Sequence, residues 1–250
     1  HWVLAQAMPV PDVDFGEVFA FAGRASYLAD AGLLTKAELQ ALAFVLGDAV
    51  ETAQALEGSR HAIHVARNRE LVAQVAYSGA LRPGEAICLS FRNLPSLADG
   101  RLAISKNKFQ GLKNINARRC PRLLPDGFGV TAADLADADQ TLRVALGSQF
   151  SLAMPLFHQI DSPDERIKDR ELLGDLSKLI KWATGDLDAS PYWLRKAAIR
   201  ARLEQLVSED RVSLWGIRHL LAEVGHFDIR MTLAAYTHDP VTPFLRWFKE

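Results

Sequence analysis

The sequence predicts a mainly α-helical protein with a small antiparallel β-sheet or hairpin inserted between helices, an α+β fold. Apolar residues recur at intervals of three and four over much of the chain, the spacing of a helix that buries one face. One short stretch after Arg101 alternates apolar and polar residues, which is typical of a strand. Strands and helices do not alternate regularly along the chain, so neither a Rossmann fold nor a TIM barrel is expected.

The composition is that of a globular protein and excludes several other classes. Of the 250 residues, 49% are hydrophobic and 24% are charged, as in ordinary folded domains. Cys88 and Cys120 are too few for a disulfide framework or a four-cysteine zinc site, and we expect both to be buried thiols. No apolar run approaches the roughly 20 residues of a membrane span. No signal peptide is recognisable, so we expect a cytoplasmic protein.

Helix signals divide the chain into an N-terminal extension, residues 1–34, and one domain, residues 35–250. Thr35 is a good helix N-cap and Glu38 follows three residues later, which is the pattern of a capping box. A turn and a short helix are expected over 81–93, and the hairpin over 101–124. Longer helices are predicted, in chain order, from residue 35 to about 50 and over 66–78, 131–147, 164–183, 192–207, 213–224 and 228–236.

Charge is distributed unevenly, although the net charge is only −1. Residues 101–122 contain seven bases and no acid, and residues 166–202 contain nine bases and five acids, whereas residues 11–58 contain eight acids and two bases. Basic surface of this kind is what binding to DNA phosphates requires, the alternative being a solvated face. The candidate DNA contacts are Lys106, Lys108, Arg118, Arg119 and Lys196.

Four separated segments carry residue types suited to chemistry on a phosphodiester. They contain, in chain order, Arg82 with Glu85, the hairpin lysines Lys106, Lys108 and Lys113, Tyr192 with Arg195, and His226 with Tyr236. Two guanidiniums can clamp the non-bridging oxygens of a phosphate. A tyrosine can attack phosphorus and form a covalent phosphotyrosine, and a lysine can protonate the departing 5′ oxygen. This chemistry needs neither a metal nor a cofactor, and His61 and His64 lack a third metal ligand nearby in the sequence.

This ordered set resembles the catalytic domain of the tyrosine recombinases, the phage integrase family, and is most similar to the larger bacterial integrases. Their pattern is an arginine in a G-x-R-x-x-E turn, a lysine on a β-hairpin, H-x-x-R, then L-G-H and a tyrosine shortly afterwards. The resemblance covers residues 34–238. It implies site-specific recombination or integration of a mobile element, by cleavage and rejoining of double-stranded DNA through a 3′-phosphotyrosine. It also implies a homo-tetramer on DNA.

The resemblance implies a role for each candidate. Tyr236 is the nucleophile, ten positions after His226, and Arg82 and Arg195 clamp the phosphate. Glu85 orients Arg82. His226 binds a phosphate oxygen or assists proton transfer. Lys113 is the favoured general acid because of its spacing before Arg118, and Lys108 and Lys106 are the alternatives. Tyr192 is a further catalytic candidate, whose phenol binds phosphate.

The chain departs from the family pattern in three places. Tyr192 stands where the family has histidine, and a phenol is a poor base at neutral pH. Val224 stands where the family has leucine. The interval from Arg195 to the histidine is longer than in compact members, which leaves Arg200 and Arg202 as alternatives to Arg195.

Two other functions are compatible with the same residues. One is a DNA-binding or assembly module that has the fold without strand transfer, and the other is relaxation of DNA by a type IB topoisomerase-like enzyme. Recombinases of this family also carry an N-terminal DNA-binding domain that completes a clamp around the duplex. Residues 1–34 are too few for it, so we expect that domain to be missing from this chain.

Overall fold

The computed structural model describes residues 32–56, 58–94, 99–111, 118–124, 127–209 and 213–226. These residues form a mainly helical fold. Two 3-10 helices, Phe91–Asn93 and Gly147–Gln149, and a π-helix, Arg170–Gly174, supplement the α-helices. The α-helices of the described residues are α1 (Lys36–Ala55), α2 (Arg60–Ser78), α3 (Pro83–Ile87), α4 (Ala132–Leu146), α5 (Asp175–Thr184), α6 (Tyr192–Ser208) and α7 (Leu214–Val224).

Side-chain caps determine where several of these helices begin. Thr35 forms the predicted capping box: its Oγ1 accepts a hydrogen bond from Glu38 N at 3.2 Å, and its own N donates to the Glu38 carboxylate at 2.7 Å. Thr131 starts α4 in the same way. Helix α2 begins six residues earlier than predicted, because Ser59 Oγ accepts from Ala62 N at 3.2 Å.

The helix predicted over 164–183 is wrong in its first part. Helical structure begins only with the π-helix at Arg170 and continues into α5. Before it, His158 and Arg166 form an antiparallel bridge, and Ile167 N donates to Phe157 O at 2.9 Å. Ile167 and Phe157 are both buried. The extended pairing therefore places in the core two apolar side chains that a helix would direct elsewhere.

The predicted β-insertion is present only as isolated pairings within the described residues, which contain no strand longer than one bridge. Arg101 bridges Arg122 and Ile104 bridges Arg119, both in the antiparallel sense that a hairpin requires. Cys120 lies between these pairings and is exposed, so the prediction of a buried thiol is wrong there, whereas Cys88 is buried as predicted. The small sheet itself stays a prediction.

The helices pack around one hydrophobic core. Helix α1 packs against α2 and α5, α2 also packs against α6, and α6 packs against α7. Leu42 and Leu46 of α1, Val72 of α2, Ile180 of α5 and Leu194 of α6 are all fully buried. The segment after α2 and the start of α6, which carry candidate site residues, meet where Arg195 donates a hydrogen bond to Ala80 O. In the part described, no helix combines the length and the apolarity needed to cross a membrane.

Some predictions fall outside the described residues. They concern Lys113, Tyr236, the helix over 228–236 and residues 1–31 of the extension. The division into an extension and one domain therefore stays a prediction.

Candidate active site

Arg82 lies in the turn between α2 and α3. Helix α2 ends at Ser78 with Gly79 as its C-cap, and Ala80 adopts a left-handed conformation (φ 47°) that redirects the chain. Arg82 is the N-cap of α3, and its backbone N donates to Glu85 Oε2 at 2.9 Å. Its Nη1 donates to Glu85 Oε1 at 2.7 Å, while 37% of the side chain remains exposed. The turn therefore orients a guanidinium that solvent and a ligand can still reach.

Glu85 joins two arginines from different segments. Arg119, which pairs with Ile104, donates from Nη2 to Glu85 Oε2 at 2.6 Å and from Nη1 to Glu85 Oε1 at 3.2 Å. The Glu85 and Arg119 side chains are 5% and 2% exposed. Burial raises the pKa of Glu85, but the hydrogen bonds and charges of Arg119 and Arg82 outweigh it and lower the pKa to about 2. Glu85 is therefore ionised and held by charge-assisted hydrogen bonds on both sides.

Arg195 ties three segments together at the first turn of α6. Its side chain is fully buried, with Nη1 donating to Ala80 O and Nη2 donating to Val224 O at 2.6 Å. Its Nε has no hydrogen-bond partner among the described residues. Burial, followed by the charges of Arg119 and Arg82, lowers the pKa of Arg195 to about 10, so it remains a cation at neutral pH.

His226 lies beside the arginines at the end of α7. Gly225 ends the helix in the left-handed conformation (φ 69°), and His226 N donates to Leu221 O at 3.0 Å. Burial lowers the pKa of His226 to about 4, and the charges of Arg195, Arg82 and Arg119 act in the same direction. The imidazole is therefore neutral at pH 7. Three guanidiniums and one carboxylate leave this cluster with a net charge of +2, which favours an anionic ligand such as phosphate.

The fold that holds this cluster is similar to folds found in solved structures. The structure of XerA recombinase matches with a TM-score of 0.51 and 14% sequence identity, over 87% of this chain and 62% of the XerA chain. The chain has a recombinase-like fold. At this identity the likeness shows the fold alone. The chain spans less than two thirds of the XerA chain, and it matches no protein-family model and no curated protein.

Within the recombinase-like fold, the three candidate arginines of α6 have different surroundings. Arg202 donates from Nη2 to the main-chain oxygens of Ser78 and Arg122, at 2.5 and 2.6 Å, and so joins α6 to the end of α2 and to the hairpin segment. Arg200 forms an ion pair with Glu204 on its own helix, at 2.8 Å. Of the three, Arg195 is the arginine that lies with Arg82, Glu85 and His226.

Tyr192 and Lys196 lie at the start of α6, near Arg195. Tyr192 is 39% exposed, and Lys196 Nζ is 5.9 Å from the centroid of the Tyr192 ring. Tyr192 lies within electrostatic reach of Arg195 and acts to raise the pKa of Arg195, although burial outweighs this effect. The phenol therefore lies at the accessible edge of the cluster, whereas Arg195 lies beneath the surface.

The basic residues of the hairpin divide into exposed and buried ones. Lys106, Lys108 and Arg118 are exposed, as contacts to DNA would require. Arg119 was predicted among those contacts, but its guanidinium is buried against Glu85. Alternation along the chain accounts for this, because residues 119, 121 and 123 are buried and residues 118, 120 and 122 are exposed. The sequence itself, with adjacent arginines at 118 and 119, does not show which of the two faces inward.

The two histidines considered as metal ligands have other contacts. His61 Nε2 lies 3.4 Å from a carboxylate oxygen of Glu171. His64 Nε2 lies 2.7 Å from the carbonyl oxygen of His158. Across the described ranges, no three histidine, cysteine or acidic side chains are grouped so that they would hold a metal ion.

Proposed function

We propose that this chain is the catalytic domain of a tyrosine-type site-specific recombinase. The observation that carries the proposal is that Arg82, Arg195 and His226, from three separate segments of a recombinase-like fold, lie in one cluster of net positive charge. Double-stranded DNA is the substrate in this proposal. The working assembly is a homo-tetramer on DNA, to which each chain contributes one such cluster.

The roles of the cluster follow from exposure and protonation. Arg82 has an accessible guanidinium and binds the non-bridging oxygens of the scissile phosphate directly. Arg195 adds a fixed positive charge from beneath, where low dielectric strengthens its effect. A neutral imidazole has one unprotonated nitrogen, so His226 can accept a proton, and the neighbouring guanidiniums stabilise a phenolate.

The proposed reaction uses Tyr236, which follows His226 by ten positions. The phenolic oxygen of Tyr236 bonds to phosphorus while the bond from phosphorus to the 5′ oxygen breaks. The phenolic proton passes to His226, and a hairpin lysine protonates the departing 5′ oxygen. Attack by the 5′ hydroxyl of another strand reverses these steps, releases the tyrosine and rejoins the DNA. Energy of the phosphodiester bond is retained in the phosphotyrosine, so no nucleotide cofactor is consumed.

A covalent adduct between the protein and DNA tests this proposal. The protein is incubated with a pool of nicked duplexes made from the DNA that flanks its own gene. A strand cut just upstream of the nick loses the short fragment that carries the new 5′ hydroxyl, so it cannot be rejoined. The adduct at the 3′ phosphate therefore accumulates and is detected on a denaturing gel. We expect an adduct with the wild-type chain, and sequencing of its DNA then identifies the cleavage site.

Matched tyrosine variants identify the nucleophile. Tyr236→Phe should abolish the adduct, whereas Tyr77→Phe, a change in the buried core, should retain it. Arg82→Gln should lower the rate of adduct formation by about 10³-fold or more, as loss of an arginine at a transferring phosphoryl group does. An adduct that persists in Tyr236→Phe would contradict the assignment of the nucleophile.

One observation favours a second function, a DNA-binding or assembly module without strand transfer. Both terminal nitrogens of Arg195 donate to main-chain carbonyls, which is how an arginine that only joins segments would be held. Tyr192 also occupies the place of a histidine. Tyr192→His decides between the two, because in an active enzyme it should increase or maintain adduct formation. A wild-type chain that binds DNA and forms no adduct, with Tyr192→His equally inactive, would support the module.

A further inference from the structure

The exposed lysines of the hairpin lie on a loop that a single side chain closes. We call residues 106–110 the lysine loop. Asn107 Oδ1 accepts hydrogen bonds from Phe109 N at 2.8 Å and from Gln110 N at 2.9 Å. Asn107 N also donates to Gln110 O at 3.2 Å. This is an asparagine turn, in which the side chain replaces a backbone acceptor and fixes the loop without glycine or proline.

The same side chain attaches the lysine loop to the segment that carries Arg82. Asn107 Nδ2 donates to Cys88 O at 2.8 Å and to Asn93 Oδ1 at 3.1 Å. Cys88 is the C-cap of α3, and Arg82 is the N-cap of the same helix. The loop and the Arg82 turn are therefore attached to opposite ends of a five-residue helix, which at 1.5 Å per residue is about 7.5 Å long.

Asn93 makes this attachment rigid. Its side chain is almost fully buried, and its Oδ1 accepts from Ser90 N at 2.8 Å and from Ser90 Oγ at 3.0 Å, in addition to Asn107. Its Nδ2 donates to Ala103 O at 2.6 Å, and its main-chain oxygen accepts from Ala103 N at 2.8 Å. Because both polar atoms of the amide are used, no apolar or charged side chain of similar size could replace it.

Lys106 and Lys108 stand on either side of Asn107 and are both exposed, while Asn107 itself turns inward. We propose that Asn107, held by Asn93, is a positioning residue that places a lysine of the lysine loop beside the phosphate bound at Arg82. The general acid of the reaction then comes from this loop. The inference rests on the proposed recombinase function and adds the residue that aims the proton donor.

Replacement of the bridging 5′ oxygen by sulfur distinguishes a variant that has lost proton donation from one that has lost its fold. A departing oxygen needs a proton, whereas a departing thiolate does not, since a thiol has a pKa of about 8.5. Asn107→Ala should slow single-turnover cleavage of ordinary DNA by about 10²-fold, the lower end of what general-acid catalysis contributes. On the sulfur-bridged DNA the same variant should cleave within about threefold of the wild type, which also shows that it is folded.

Three further variants serve as controls. Arg82→Gln should be slowed on both DNAs, because phosphate binding is needed whichever atom departs. Asn68→Ala removes a matched asparagine, whose Nδ2 donates to His64 O within α2, and should change neither rate. Asn107→Asp retains the acceptor that closes the loop but loses the donor to Cys88 O, so it should behave like Asn107→Ala.

Each outcome decides the matter. If Asn107→Ala is slowed equally on both DNAs, or on neither, Asn107 has no role in placing the proton donor and the proposal is overturned. It is also overturned if Lys113→Ala shows the rescue by sulfur while Lys106→Ala and Lys108→Ala do not. If the wild-type chain cleaves neither DNA, the proposed recombinase function fails, independently of Asn107.

Discussion

Removal of the charge on Glu85 tests the electrostatic account of the site most directly. Glu85→Gln keeps the shape of the side chain but leaves a neutral amide between two guanidiniums. The buried Arg119 guanidinium then has no anionic partner at Glu85, and the amide nitrogen of glutamine faces donors rather than acceptors. The variant should fold with a lower stability, because a cation stays buried without its counter-ion.

Two independent estimates give the size of the effect. The pKa of Glu85 falls from 4.5 to about 2, which corresponds to a preference for the ionised form of about 3 kcal/mol. Removal of one partner from a buried ion pair typically costs about 3–5 kcal/mol. We therefore expect the free energy of unfolding to fall by about 3 kcal/mol, which lowers the melting temperature of a chain of this size by about 6–12 °C.

Urea unfolding at several pH values measures this loss. Because the folded-state pKa is lowered, the stabilisation by Glu85 is complete above pH 4.5 and disappears as the pH falls towards 2. The difference between wild type and Glu85→Gln should therefore be largest at pH 7 and shrink below pH 4.5. Glu204→Gln is the matched control, since its ion pair with Arg200 is on the surface and is worth no more than about 0.5 kcal/mol. A loss below about 1 kcal/mol for Glu85→Gln would refute the account.

Three further variants test other parts of the structure. His226 has a pKa lowered to about 4, so the unfolded chain protonates first as the pH falls from 6.5 to 4. Stability should decline more steeply over that range in wild type than in His226→Gln, and NMR titration measures the pKa. Arg202→Met removes the donor to two main-chain carbonyls and should lower the free energy of unfolding in urea by about 3 kcal/mol. Arg200→Met should lower it by less than about 0.5 kcal/mol. Thr131→Ala removes the N-cap of α4 and should cost about 1 kcal/mol, again measured by urea unfolding.

Helix positions were predictable wherever the signal is local. Thr35 and Thr131 each bond to a residue three positions later, so the sequence around them contains the whole interaction. Ser59 is an equally local cap, but the start of α2 is predicted at residue 66, without use of the Ser59 signal. The extended pairing of Phe157 with Ile167 was not predictable in this way, because its stability comes from burial of both side chains in the core.

In the candidate site, too, local interactions could be predicted from the sequence and distant ones could not. The turn with Arg82 and Glu85 could be predicted because the two residues interact across a single turn of helix. The choice of Arg195 over its neighbours on α6 depends on carbonyl oxygens of residues 80 and 224, which lie far away in the chain. The burial of Arg119 depends on Glu85, another distant residue. Sequence spacing cannot reveal which distant group neutralises a buried arginine.

The balance of charge in the cluster links its stability to its function. Glu85 compensates one of the three guanidiniums. Burial lowers the pKa of both Arg195 and His226, and the uncompensated charge lowers it further. A lowered pKa of a basic group means that its cationic form is disfavoured in the folded protein, so the arrangement opposes folding by itself. A bound phosphate reverses the sign of this effect, since its negative charge favours every cation around it. Phosphate binding should therefore raise the pKa of His226 and stabilise the fold. In the proposed function, the same excess of charge that weakens the free protein would attract the DNA.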